Sequence, residues 1–149
     1  MEKEIGSIGE LEAEAKRFAE RLKPRAESAT LVTLSGELGA GKTAFTKAVA
    51  KAFGVEEEVT SPTFVLEKIY TLPTPRSGAG FSRLVHIDAY RLASGADLAA
   101  LGFTELMRDP GTLILLEWPE RVADLLPPVT IRIALAARED GIHTISYDE

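Results

Sequence analysis

The sequence predicts a three-layer α/β domain spanning 1–149, built on a mixed parallel and antiparallel sheet. Three observations carry that reading. An apolar, β-prone run, Thr30 to Ser35 (TLVTLS), leads through a glycine-rich turn into Thr43 to Phe53 (TAFTKAVAKAF), which has helical periodicity. Thr112 to Glu117 (TLILLE) is the most apolar run of the chain, the pattern of a strand covered on both faces. Two further pairs of strand-like runs, Phe64–Leu72 with Arg83–Tyr90 and Val129–Ala136 with His143–Tyr147, are separated by turn residues and predict antiparallel pairing.

Taken in order, Ser7 and Glu10 form a capping box, and Leu11, Ala15, Phe18, Ala19 and Leu22 make one apolar stripe. A helix to about Leu22 follows, stopped by Pro24. Gly54 is placed to cap the helix that begins at Thr43. Val59 to Phe64 (VTSPTF) opens as a turn and runs into a strand, and Leu72 to Phe81 (LPTPRSGAGF) reads as an exposed loop. In the next strand His86, Asp88 and Tyr90 share a face, with Leu84 expected to point away from it. Ser94 opens a short helix over Ala96 to Leu101, closed by Gly102, and Phe103 to Met107 adds a helical turn. Pro119 to Leu126 predicts a short helix, ended by Pro127-Pro128. The last two strands turn at Asp140-Gly141.

Bulk composition narrows the function classes. At 149 residues, 45% hydrophobic and 27% charged, the chain matches an ordinary globular domain. It has no cysteine, which removes disulfides, thiolate catalysis and Cys-based zinc sites. The acidic start MEKEIGSIGELEAEAKRF lacks the apolar segment of a signal peptide, and no run reaches the ~20 apolar residues of a membrane helix. The expected address is the cytoplasm, with no membrane partner. A net charge of −6 with scattered basic residues argues against gripping nucleic acid unaided.

Gly36 to Thr43 (GELGAGKT) matches G-x-x-x-x-G-K-[ST], the phosphate-cradling loop. Its glycines let successive backbone N–H groups aim at an anion. Glu37, Leu38, Gly39, Ala40, Gly41, Lys42, Thr43 and Ala44 are therefore the candidate nucleotide-binding residues. Lys42 brings a charge for the β- and γ-phosphates, and the Thr43 hydroxyl suits Mg²⁺.

Hydrolysis needs further polar groups. Glu117 ends the apolar run, where α/β sheets present groups to ligands, and is the candidate carboxylate for Mg²⁺. Asp88 either serves the metal or attacking water, or is a hairpin-end carboxylate paired with Arg91. His86 is read as structural, beside Asp88, because the chain has only two histidines. Ser61, Pro62 and Thr63 sit where a switch loop would sense the γ-phosphate, with Thr63 offering a hydroxyl to Mg²⁺; plain turn chemistry accounts for them equally well. Trp118 is expected to pack at the sheet edge and to report on nucleotide binding.

Four motifs in this order, GELGAGKT, SPTFVL, HIDAYRL and LLEWP, resemble the bacterial TsaE (YjeE) family. The resemblance spans Thr30 to about Pro119. It implies a P-loop NTPase-like sandwich that binds ATP or ADP with Mg²⁺ and hydrolyses ATP slowly alone. It further implies TsaD and TsaB as partners in threonylcarbamoylation of adenosine 37 in tRNAs reading ANN codons, with TsaC supplying the adenylate and tRNA met only through the complex. By the same resemblance Lys42, Asp88 and Glu117 are catalytic, Thr43, Glu117, Thr63 and Asp88 serve the metal, and Ser7, Ile8 and Arg138 lie on the adenine side. The segment Leu72 to Phe81 is longer than the family's usual hairpin tip.

Two other readings use the same loop. One is a small-molecule kinase, which needs an arginine-bearing lid; the region after Ala89 offers Arg91 and Arg108. The other is a binding module whose partner affinity is set by nucleotide without essential hydrolysis. No N-K-x-D guanine element occurs, which favours ATP over GTP.

Overall fold

The computed structural model describes residues 2–37, 39–56, 67–73, 80–128 and 130–148. Its frame is set by two strands with every or nearly every side chain buried, β2 (Thr30–Ser35) and β5 (Thr112–Glu117). They pair in parallel, Leu31 beside Ile114 and Leu34 beside Glu117. Such runs need cover on both sides, and they receive it. Val32, Leu34, Leu113 and Leu115 face one core, shared with helices α1 (Ile8–Arg21) and α2 (Lys42–Ala52). Leu31, Ile114 and Leu116 face the other, under α3 (Gly95–Ala100) and α4 (Phe103–Leu106). Three layers result.

The remaining strands are β1 (Glu2–Ile5), β3 (Glu67–Thr71), β4 (Arg83–Asp88), β6 (Ile131–Ala137) and β7 (His143–Asp148). The sheet order is β1-β7-β6-β2-β5-β4-β3. Pairs β6–β2, β2–β5 and β5–β4 are parallel; β1–β7, β7–β6 and β3–β4 are antiparallel. The mixed sheet expected from the sequence is present, and its parallel centre aligns the C-terminal ends of β2, β4 and β5 on one rim.

Helix α1 starts as its capping box dictates. Ser7 Oγ accepts from Glu10 N at 3.2 Å, while the Glu10 carboxylate accepts from Gly6 N at 2.6 Å. Phe18 on its inner face meets Phe45 of α2, ring centroids 5.8 Å apart. Helix α2 is closed by Gly54 just past its C-cap Phe53, and Val55 N donates back to Ala50 O at 3.0 Å, a Schellman closure.

Four local expectations change. Strand β1 was not anticipated, because Glu2-Lys3-Glu4-Ile5 carries one apolar residue and is held by pairing with β7 at the far end of the chain. Strand β4 ends at Asp88, so Tyr90 lies beyond it, and the two-residue pleat places Leu84 on the same face as His86 and Asp88. Pro119 to Leu126 forms only one 3-10 turn, Pro119–Arg121. Leu72 and Phe81, the ends of the expected exposed loop, are buried, with Leu72 N donating to Ser82 O at 2.9 Å and Phe81 edge-on to Phe53 at 5.7 Å, while residues 74–79 of that loop lie outside the described residues.

Candidate functional site

The turn between β2 and α2 cannot be built from ordinary residues. Gly36 has φ +146, and a Cβ there would collide with the backbone carbonyl of Leu135 on the neighbouring strand β6. Gly41 adopts φ +105 as N-cap of α2, without a side-chain cap and with no acidic residue in the first turn. The first N–H groups of the helix thus face outward in a positive field suited to an anion.

Lys42 is buried and folded back on its own loop. Its ammonium donates to the carbonyls of Gly36 and Glu37, the latter at 3.1 Å, and lies 4.0 Å from the centroid of the Trp118 ring. Trp118 holds this place from a left-handed backbone, φ 60 and ψ 52, costly for a bulky residue and typical of functional sites. Its N–H donates to Leu34 O at 3.2 Å, and its ring meets Tyr90 at 5.0 Å. Trp118 therefore faces the loop, where edge packing had been expected.

At the second residue of α2, Thr43 Oγ1 donates to Glu117 Oε1 at 3.4 Å. The other oxygen of Glu117, Oε2, is bonded to His86 Nε2 at 2.5 Å, with both residues buried. His86 is thus tied to Glu117, and its other ring nitrogen has no partner among the described residues. Register explains the meeting: His86 pairs with Leu115 and Asp88 with Glu117 across β4 and β5, so all point to the α2 face. Asp88 accepts from Tyr90 N at 3.0 Å, fixing the carboxylate in a tight turn.

Gly39, Gly41, Lys42, Thr43, Asp88, Glu117 and Trp118 line one cleft of about 280 Å³ at the C-terminal rim of the sheet. Glu37 is exposed beside it and Ala40 is buried beneath. A second cavity, about 250 Å³, adjoins it through Gly41 and Ala44. Its walls are Ile5, Gly6, Ser7, Ile8, Leu11, Leu135 and His143, mainly apolar. Ser7 and Ile8, placed on the adenine side by the resemblance, both line this cavity. Arg138 does not reach it: its guanidinium bonds Glu4 at 2.7 Å and Asp140 at 2.6 Å. His143, Ile5 and Leu135 had not been singled out, and only the β1–β7 pairing brings them together. Leu38 and the segment Ser61, Pro62, Thr63 lie outside the described residues.

The oxygens of Thr43 and Glu117 suit a small hard cation. Adjacent ligands on an Mg²⁺ octahedron stand about 3.0 Å apart, a few tenths closer than this pair.

A profile described as threonylcarbamoyl adenosine biosynthesis protein TsaE matches residues 10–145. The chain belongs to the TsaE family. The TsaE protein of Treponema pallidum, called a tRNA threonylcarbamoyladenosine biosynthesis protein, is 41% identical over 120 residues, 80% of this chain and 82% of the relative. TsaE of Streptomyces coelicolor is 37% identical over 121 residues, covering 80% and 77%. The crystal structure of Bacillus subtilis YdiB superposes with a TM-score of 0.76 at 28% identity, over 99% of this chain and 83% of that one. The P-loop NTPase-like sandwich expected from the sequence is the fold of this TsaE chain. No helix among the described residues is long and apolar enough to cross a membrane.

Proposed function

We propose that this chain acts as one domain, 1–149, that binds ATP with Mg²⁺ and hydrolyses it slowly, in service of tRNA threonylcarbamoyladenosine formation. The observation that carries the reading is the line Thr43–Glu117–His86 set against Lys42 at the start of α2. A binding loop needs only the glycines, the lysine and the helix end. A buried carboxylate held at both oxygens and aimed at the loop's hydroxyl is what hydrolysis or phosphoryl transfer adds.

Residues Glu37 to Ala44 wrap the phosphates through backbone N–H groups, and Lys42 exchanges its two carbonyl partners for phosphate oxygens. Thr43 and Glu117, with Asp88 beside them, would hold Mg²⁺, which would supply charge neutralisation at the phosphates. His86 locks the rotamer of Glu117 through Oε2, leaving Oε1 toward Thr43. Asp88, anchored on Tyr90 N, orients the water that attacks the γ-phosphorus in line, and ADP leaves. Thr63, with Ser61 and Pro62, senses the γ-phosphate. The purine lies in the adjoining cavity over Ile8, Leu135 and Ser7. The acidic surface of the chain supports contact with tRNA only through TsaD and TsaB, in the cytoplasm.

The test is ATP turnover by the purified chain, alone and with TsaD and TsaB. Slow turnover alone that rises with the partners is expected. Turnover that appears only with a small acceptor, without partners, would replace this reading by the kinase. Partner binding that follows nucleotide with no turnover at all would replace it by the gated module.

A further inference from the structure

Glu14 lies near the middle of α1 and is fully buried as a charged residue. Three elements converge on its carboxylate. Lys3 of β1 donates at 3.2 and 3.3 Å, Arg17 of α1 at 2.8 and 3.2 Å, and the Tyr147 hydroxyl of β7 at 2.6 Å. The Tyr147 ring stacks on Phe18 at 5.6 Å and carries the Arg21 guanidinium 5.2 Å from its centroid. Taking a carboxylate out of water is expensive even with partners, so such a cluster does more for geometry than for net stability.

The geometry it fixes is one wall of the second cavity. The pleat puts Lys3 on the same face as Ile5, and Tyr147 on the same face as Ile145 and His143. Leu11 sits one turn before Glu14 on α1. Ile5, Leu11 and His143 line that cavity, whereas the phosphate cleft takes no residue from β1, α1 or β7. We propose that Glu14 is a positioning residue for the nucleoside end of the site, clamping β1, α1 and β7 so that the base-side wall is formed before ligand arrives. This rests on the ATP reading above. Coupling through residues that do not touch ligand commonly changes affinity from about twofold to thirtyfold.

The experiment titrates Mg-ATP and Mg-tripolyphosphate into the wild type, Glu14→Gln and Tyr147→Phe, with thermal melting of each. Tripolyphosphate probes the phosphate cleft without the base-side wall. The expected result is about a tenfold loss of ATP affinity in Glu14→Gln and about threefold in Tyr147→Phe, with tripolyphosphate affinity within about twofold of wild type in both. Unchanged ATP affinity in Glu14→Gln, or equal losses for both ligands, overturns the proposal. If Glu14→Gln does not fold, Tyr147→Phe, which keeps the ring stack, decides by the same criterion. A wild type that binds neither ligand overturns the ATP reading itself, a separate outcome.

Discussion

The two halves of the candidate site are built by different means. The phosphate half comes from a contiguous loop plus strand-end carboxylates that parallel register places side by side. The base half comes from the first and last strands and the first helix, which meet only when both ends of the chain fold together. The first is specified by local backbone demands and the second by a buried ionic cluster. A local device tolerates change elsewhere in the chain; a convergent one depends on every partner.

Substitutions should separate the halves by size of effect. Lys42→Ala is expected to lower ATP turnover by about a thousandfold and to weaken ATP and tripolyphosphate alike, measured by phosphate release and calorimetry. Glu117→Ala should cost about a hundredfold in turnover while ATP still binds, with the response to added Mg²⁺ flattened. Retained turnover in that variant removes Glu117 from the metal. His86→Leu acts only through Glu117 and is expected to cost about tenfold, read as turnover with ATP affinity kept. A loss as large as that of Glu117→Ala would mean that His86 touches the reacting groups itself.

The smallest effect belongs to the base half and to stability. Burial pushes the Glu14 carboxyl up, but hydrogen bonds from Tyr147, Arg17 and Lys3 outweigh it and leave the group below its ordinary 4.5. Burial and the bond to Glu14 also raise the Tyr147 phenol. A lowered folded-state value means that Glu14 stabilises the fold fully above the ordinary carboxylate range and loses that contribution as pH falls through the folded value. Acid unfolding of Glu14→Gln should therefore begin less steeply below pH 4.5 than in the wild type, followed by circular dichroism. Parallel acid limbs in the two proteins would contradict this assignment.

The same contrast governs what the sequence made legible. Strands β2 and β5 were readable to the residue, because buried parallel strands are continuous apolar runs. The loop was readable because its glycines and lysine are consecutive. Glu117 was found through its place at a strand end. His86 was read as a neighbour of Asp88, since one-dimensional spacing does not show that β5 lies against β4 in register. Glu14 was not singled out, because its burial depends on Lys3 and Tyr147, which lie 11 and 133 residues away. His143 and Arg138 exchange prominence for the same reason: the β6–β7 turn holds Arg138 against Glu4 and Asp140 and leaves His143 in the wall.

Trp118 offers the most direct test of the central claim, that Lys42 leaves its resting place to hold phosphate. It is the single tryptophan of the chain, and the Lys42 ammonium rests over its ring. Titrating Mg-ATP while following tryptophan emission should give a saturable change in the wild type and none in Lys42→Ala. An emission change of the same size in Lys42→Ala, or a wild type whose emission ignores bound ATP, would contradict the account.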